Sequence, residues 1–116
     1  MDNLEKILPS EITNLAVRSG NELVMSLDAA KGAVRIASQH LIAVLGIEVF
    51  RILDSGLGVE TYSGYGFDFD GDWQKYVGLT NDAALHFIAE NSLGEGYGYI
   101  LTSTSDDEFS RMLTKL

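Results

Sequence analysis

The strongest constraint on the fold is a long, largely apolar stretch near the middle of the chain, residues 41–53, which reads LIAVLGIEVFRIL. Most of its apolar side chains are β-branched or aromatic, and such residues favour a strand. The turn signal Asp54-Ser55-Gly56 follows, so we expect the chain to return as a hairpin strand over 57–62. The stretch 41–53 is therefore predicted to be a long central strand, bent or bulged at Gly46.

Helical signals lie on both sides of this hairpin. Pro9 or Ser10 opens a brief predicted helix that runs to about Arg18. Ser26 is a good N-cap for a second helix over 27–40, with a buried stripe of Ala30, Ala33, Val34 and Ala37. A third helix is predicted to start at Thr80-Asn81-Asp82. A capping box at 105–108 starts the last helix, which carries Phe109 inward.

Two further segments are read as extended. Residues 65–69 are predicted to form a third strand or an extended loop, and 97–103 a strand. The order is then α, α, β, β, β, α, β, α, over 116 residues without a linker or repeat. This order predicts one α+β domain over 1–116, with a mostly antiparallel sheet of about four strands and helices packed mainly on one face.

The net charge of −9 is concentrated in the second half of the chain. Residues 1–51 carry a balance of −1, whereas residues 52–110 hold one lysine against eleven acids. Such a field repels nucleic acid and anionic lipid, and it attracts a basic partner. The alternative is that the charge serves solubility alone.

Location and catalysis are constrained by what the sequence lacks. It has no cysteine, no signal-peptide pattern at its start and no apolar run long enough to span a bilayer, which favours the cytoplasm. His40 and His86 are the only histidines, and neither has a nucleophile nearby in sequence. No phosphate-binding or dinucleotide motif is present. We therefore expect no enzymatic activity and no cofactor.

The most distinctive segment is 64–73, GYGFDFDGDW, in which carboxylates alternate with aromatic side chains. In an extended chain, the two sets project from opposite faces. The carboxylates are Asp68, Asp70 and Asp72, and the aromatic residues are Phe67, Phe69 and Trp73.

Three interpretations of this segment compete: a metal site, a structural turn and a partner-binding surface. For an EF-hand, Gly71 comes too early and no glutamate closes the loop. An interface for a basic partner needs apolar anchors beside steering carboxylates. The residues predicted for such a surface are Glu60, Asp68, Asp70, Asp72 and Trp73. A lone tryptophan is also a common core residue, so both roles stay open for Trp73.

One resemblance concerns Asp28-Ala29-Ala30 together with 42–50, IAVLGIEVF. This pairing resembles small bacterial immunity proteins that accompany polymorphic or contact-dependent growth-inhibition toxins. The resemblance covers about a quarter of the chain and carries over no functional residue. It implies a non-catalytic inhibitor that covers the active surface of one cognate toxin. A nuclease toxin is basic where it holds phosphates, which suits an acidic inhibitor. The alternatives are a small adaptor of unknown partner and a divalent-metal protein that uses the aspartate cluster.

Overall fold

The computed structural model describes residues 2–14, 16–20, 22–53, 56–64, 67–92 and 96–114. This part of the chain contains five helices and five strands. The helices are α1 Asp2–Ile7, α2 Ser10–Thr13, α3 Leu27–Gln39, α4 Trp73–Glu90 and α5 Asp106–Thr114. The strands are β1 Ala16–Ser19, β2 Glu22–Met25, β3 Ala43–Leu53, β4 Gly56–Gly64 and β5 Tyr97–Thr104.

The strands form one sheet in the order β1-β2-β5-β3-β4, and every pairing is antiparallel. The predicted α+β class, with one domain and an antiparallel sheet covered by helices, is confirmed. β3 lies between β5 and β4, so the predicted central position of the apolar stretch is also confirmed. Its first eight residues are buried or half-buried, whereas Arg51, Ile52 and Leu53 are exposed.

β3 is interrupted where the sequence predicted an irregularity. Its pairing with β5 passes from Val44↔Ser103 to Gly46↔Thr102, which leaves Leu45 as the extra residue of a bulge beside Gly46. A second irregularity lies on the other side of β3, where Val49 pairs with Thr61 and Phe50 pairs with Val59. Glu60 is therefore the extra residue of β4.

Helices α3 and α4 pack against each other and against the sheet. α3 contacts β2, β3 and β5, while the main contact of α4 is with β3. The predicted alanine stripe of α3 is buried, and its small side chains let the helix approach the strands closely. The main apolar cluster joins that stripe to strand residues that include Met25, Val44, Ile47, Val49, Tyr99 and Leu101.

The predicted helix 10–18 is wrong beyond Thr13. α2 ends there, and Ala16–Ser19 forms β1, which pairs in full with β2. Gly20 adopts a left-handed conformation with φ of 62° and closes the turn between the two strands. Leu15, within this predicted helix, lies outside the described residues. Neither β1 nor β2 is predicted from the sequence. β1 forms because its pairing with β2 overrides a weak helical pattern.

The predicted start of α4 at Thr80 is also wrong. The helix begins at Trp73, and the Asp72 carboxylate caps it by accepting the Lys75 backbone N–H at 3.1 Å. Thr80 and Asn81 lie inside the helix and are buried. Of the segment 65–69, the described residues 67–69 form an extended loop rather than a strand.

Asn81 joins α4 to the connection between α3 and β3. Its side-chain oxygen accepts the Val44 backbone N–H at 2.8 Å, and its amide nitrogen donates to the Ile42 carbonyl at 3.0 Å and to the Ser38 hydroxyl at 2.9 Å. The side chain is 1% exposed. Because buried polar groups without partners are costly, this satisfied amide fixes the position of α4 on the sheet.

We expect Asn81→Ala to lower the free energy of unfolding by about 3 kcal/mol, because it leaves the Val44 N–H and the Ile42 carbonyl unpaired in the interior. Urea denaturation measures the loss. Asp82→Ala, at the exposed neighbouring position, is the matched control and should change stability by about 0.5 kcal/mol or less. Equal effects of the two variants would contradict this role for the Asn81 amide.

Gly98 of β5 is fixed by close packing. A β-carbon at this position would overlap Cγ1 of Val24 on β2. Valine is stiff at χ1 and cannot swing away. We expect Gly98→Ala to destabilise the protein by about 1–3 kcal/mol.

Gly78→Ala is the control for Gly98→Ala, because a β-carbon on this exposed α4 residue meets nothing within 4 Å. It should stabilise the protein by about 0.5–1 kcal/mol. Adding Val24→Ala to Gly98→Ala should recover part of the loss in thermal unfolding. A double variant whose losses simply add would show that the overlap is not the cause.

Candidate functional site

Four aromatic side chains meet where the 67–72 segment, α4 and α5 come together. They form the aromatic quartet: Phe69, Trp73, Tyr76 and Phe109. All six ring pairs are in contact, with centroids 5.2–6.1 Å apart. The quartet packs with Ala43, Leu45 and Val77 as a second apolar cluster. Burial raises the pKa of the Tyr76 hydroxyl.

The quartet brings together two acidic segments that are distant in sequence. Phe69 lies between exposed aspartates, and Phe109 follows the acidic first turn of α5. The centroids of these two rings are 5.2 Å apart. Exposed carboxylates therefore flank the quartet from both segments. We call them the acidic surface: Asp68, Asp70, Asp72 and Asp106, the last of which lies one helical turn before Phe109 on the same face of α5.

Two of the predicted carboxylates also act within their own segment. Asp72 caps α4, and Asp70 accepts the Asp72 backbone N–H at 3.0 Å. Asp70 also forms an ion pair with the Lys75 ammonium at 2.8 Å. These local bonds fit the interpretation of the segment as a structural turn at Asp70 and Asp72. Both side chains remain exposed, so their outer oxygen lone pairs are accessible from solvent.

Trp73 combines the two roles that the sequence left open. Its indole N–H donates to the Leu41 carbonyl at 2.6 Å, and its ring packs in the quartet. The side chain is only half-buried, so part of the ring remains accessible beside the acidic surface.

Glu60 does not join the other predicted residues. Its backbone lies opposite the boundary between Val49 and Phe50, whereas the quartet packs on Ala43 and Leu45 of the same strand. At the usual rise per strand residue, the two places are roughly 15 Å apart along β3. The Glu60 side chain is outside what the structure describes.

The two histidines occupy exposed positions on different helices. His40 is the C-cap of α3, and His86 lies on the outer face of α4 beside Asp82. Within the described ranges, no three His, Cys, Asp or Glu side chains converge as a metal-binding group. Nor is any helix in those ranges both long and apolar enough to cross a membrane.

The comparisons with known proteins give no family and no relative. No family model matches the sequence, and neither the curated proteins nor the solved structures show significant similarity to it. What the structure defines is therefore a class of architecture, an α+β domain with an acidic and aromatic surface.

Sequence reasoning missed Asp106 as part of this surface. The capping box predicted at 105–108 is confirmed by the Ser105–Glu108 hydrogen bonds. The proximity of Asp106 to the 67–72 segment has no sequence signal, because it depends on the contact between Phe69 and Phe109. Leu41, whose carbonyl accepts the Trp73 indole N–H, lies before the central strand to which the sequence analysis assigns it.

The Lys75 ammonium, which hydrogen-bonds to Asp70, holds the pKa of that carboxyl below its ordinary value. A lowered carboxyl pKa adds stability that is present above the unfolded-state pKa and is lost as pH falls through the folded pKa.

We expect Lys75→Met to raise the Asp70 midpoint in an NMR titration of the carboxyl carbon. Lys6→Met, which removes an exposed charge on α1, should leave it unchanged. A midpoint unaffected by Lys75→Met would show that the ion pair does not form in solution.

Proposed function

We propose that this chain is a non-catalytic binding protein that covers a basic surface on a partner protein. The observation that carries the proposal is the aromatic quartet, which fixes two acidic segments on one surface. Carboxylates held on a packed base need little ordering when a partner binds, so less of the interaction free energy is lost to entropy. Their long-range field speeds the encounter with a cationic protein.

The chemistry of the partner follows from the charges. The nearby cations are Lys75, which is paired with Asp70, and Arg111, whose Nε–H donates to the Asp107 carbonyl at 3.3 Å. Among the described residues, no ion pair neutralises Asp68 or Asp106. A partner rich in lysine or arginine would supply the missing counter-charges. The overall charge of −9 disfavours nucleic acid and anionic lipid as partners.

We further propose that the partner is a bacterial toxin and that the chain is its cytoplasmic immunity protein. Support comes from the resemblance of Asp28-Ala29-Ala30 and of 42–50 to such proteins. Ala29 and Ala30 are buried in α3, and β3 carries most of the second segment. The resemblance therefore concerns the scaffold, while the acidic surface supports a basic, nuclease-like target.

The experiment is co-expression with each toxin domain encoded beside this gene. Growth should be rescued by this chain, and the two proteins should co-purify as a complex. Purified toxin should lose its activity at a one-to-one ratio of the two proteins. Growth arrest by every neighbouring domain despite co-expression would overturn the immunity proposal.

The acidic surface makes a kinetic prediction. Changing Asp68, Asp70 and Asp72 to Asn together should slow association with the toxin domain and flatten its dependence on salt, because screened long-range attraction sets the encounter rate. Asparagine is also a good N-cap, so the Asp72 change preserves the start of α4. Surface plasmon resonance at several salt concentrations measures the effect, and the melting temperature should stay nearly constant.

A matched control separates position from total charge. Glu22→Gln, Asp82→Asn and Glu90→Gln remove the same charge from exposed sites outside the acidic surface. This control should slow association much less than the aspartate triple variant. Equal rates for the two variants would show that net charge alone, rather than this surface, attracts the partner.

A further inference from the structure

Helix α3 ends in a two-bond motif that normally requires glycine. The Ile42 backbone N–H donates to the Ala37 carbonyl at 2.8 Å, and the Leu41 N–H donates to the Ser38 carbonyl at 3.3 Å. These bonds define a Schellman motif, whose residue after the C-cap adopts the left-handed conformation. Here that residue is Leu41, with φ of 54°.

Leucine is a poor choice for this backbone. Its β-carbon crowds the following carbonyl in the left-handed region, whereas glycine adopts that region freely. Within the described ranges, Leu41 is the only residue other than glycine with positive φ. Such a residue persists only when the surrounding structure enforces it, and it is often found at functional sites.

The Leu41 side chain is one of the exposed large apolar side chains, with 46% of its surface accessible. It is not among the residues of the two apolar clusters. The Leu41 carbonyl oxygen accepts the Trp73 indole N–H. A backbone carbonyl is present whatever the residue, so glycine or asparagine would keep that bond.

We infer that the Leu41 side chain is an apolar anchor for the partner, placed beside the exposed part of Trp73. The inference rests on the proposed function and extends its surface to a residue outside the acidic segments. The occupant is a basic protein that offers an apolar pocket with lysine or arginine at its rim. Charge complementarity supports this choice, because Trp73 directly follows Asp72 and packs on Phe109 beside the acids of α5. Apolar anchors with a charged rim are typical of strong interface contacts.

This role predicts opposite changes in stability and affinity. Leu41→Gly relieves the left-handed strain and should raise the melting temperature, or leave it unchanged where chain entropy offsets the gain. Leu41→Asn, which also tolerates this conformation, should behave in the same way. Both variants should bind the toxin domain about tenfold or more weakly, mainly through faster dissociation, as expected for a lost anchor.

The probe is the purified toxin domain that this chain neutralises in the co-expression experiment, inactivated at its catalytic residue. Val17→Thr is the control, because Val17 is 67% exposed on the edge strand β1. Two strands separate β1 from β3, against which Trp73 and the rest of the quartet pack. It should leave affinity unchanged.

Four outcomes would overturn the inference. Unchanged affinity in both Leu41 variants would show that the partner does not contact this side chain, although the proposed function would stand. Lower melting temperatures in both would show that leucine serves the fold. A toxin domain that fails to bind even the parent chain would instead refute the proposed function, and the anchor with it. Self-association of the parent chain that Leu41→Gly abolishes would identify a second copy as the occupant and would also overturn the inference.

Discussion

The buried amide of Asn81 is the interaction on which the arrangement of this domain depends. It lies inside α4 and hydrogen-bonds to Ser38 at the end of α3, to the Ile42 carbonyl and to the Val44 N–H. Apolar packing alone is not directional, so it leaves a helix some freedom to slide along a sheet. The hydrogen bonds to Val44 and Ile42 are buried, and they remove that freedom because displacement of the helix leaves these polar groups unpaired. The bulge at Leu45 follows immediately, next to the Val44 N–H that bonds to Asn81.

Once α4 is fixed, its first turn determines where the aromatic quartet forms. Trp73 and Tyr76 lie one turn apart on α4, and they receive Phe69 from the preceding loop and Phe109 from α5. Mutual repulsion of the carboxylates around these rings opposes their clustering. Edge-on and tilted ring contacts hold the two segments together despite that repulsion. The Asp70–Lys75 pair joins the 67–72 segment to the first turn of α4. The same cluster thus stabilises α5 and determines which charges share a surface.

The region also contains a residue that is poor for stability. Leu41 occupies a left-handed position at the end of α3, and its exposed side chain contributes to neither apolar cluster. Residues that conflict with local backbone preferences while nearby packing is well satisfied are expected at sites selected for binding. The structure therefore separates two kinds of residue within one small region. Asn81 and the quartet maintain the fold, whereas Asp68, Asp106 and the Leu41 side chain are exposed and lie outside the two apolar clusters. Asp70 and Asp72 are of both kinds, because they are exposed and also pair with Lys75 and cap α4.

The sequence by itself determined the elements whose signals are local. Three predicted features appear in the structure: the strand predicted over 41–53, which is found at 43–53, the alanine stripe of α3 and the capping box at Ser105. They could be predicted because a strand, a helix face and a cap depend on neighbouring residues.

Local signals failed at 14–19 and at 73–79. The pairing of β1 with β2 outweighs helical spacing in the first case. In the second, Asp72 rather than Thr80 caps the helix, and Asn81 is buried by partners distant in sequence. Only the tertiary structure decided that Asp106 lies near the 67–72 segment, that Glu60 lies apart, and that Leu41 borders Trp73. The first and the last depend on contacts between residues about thirty or more positions apart, and the position of Glu60 depends on strand register. Local periodicity encodes neither distant contacts nor register.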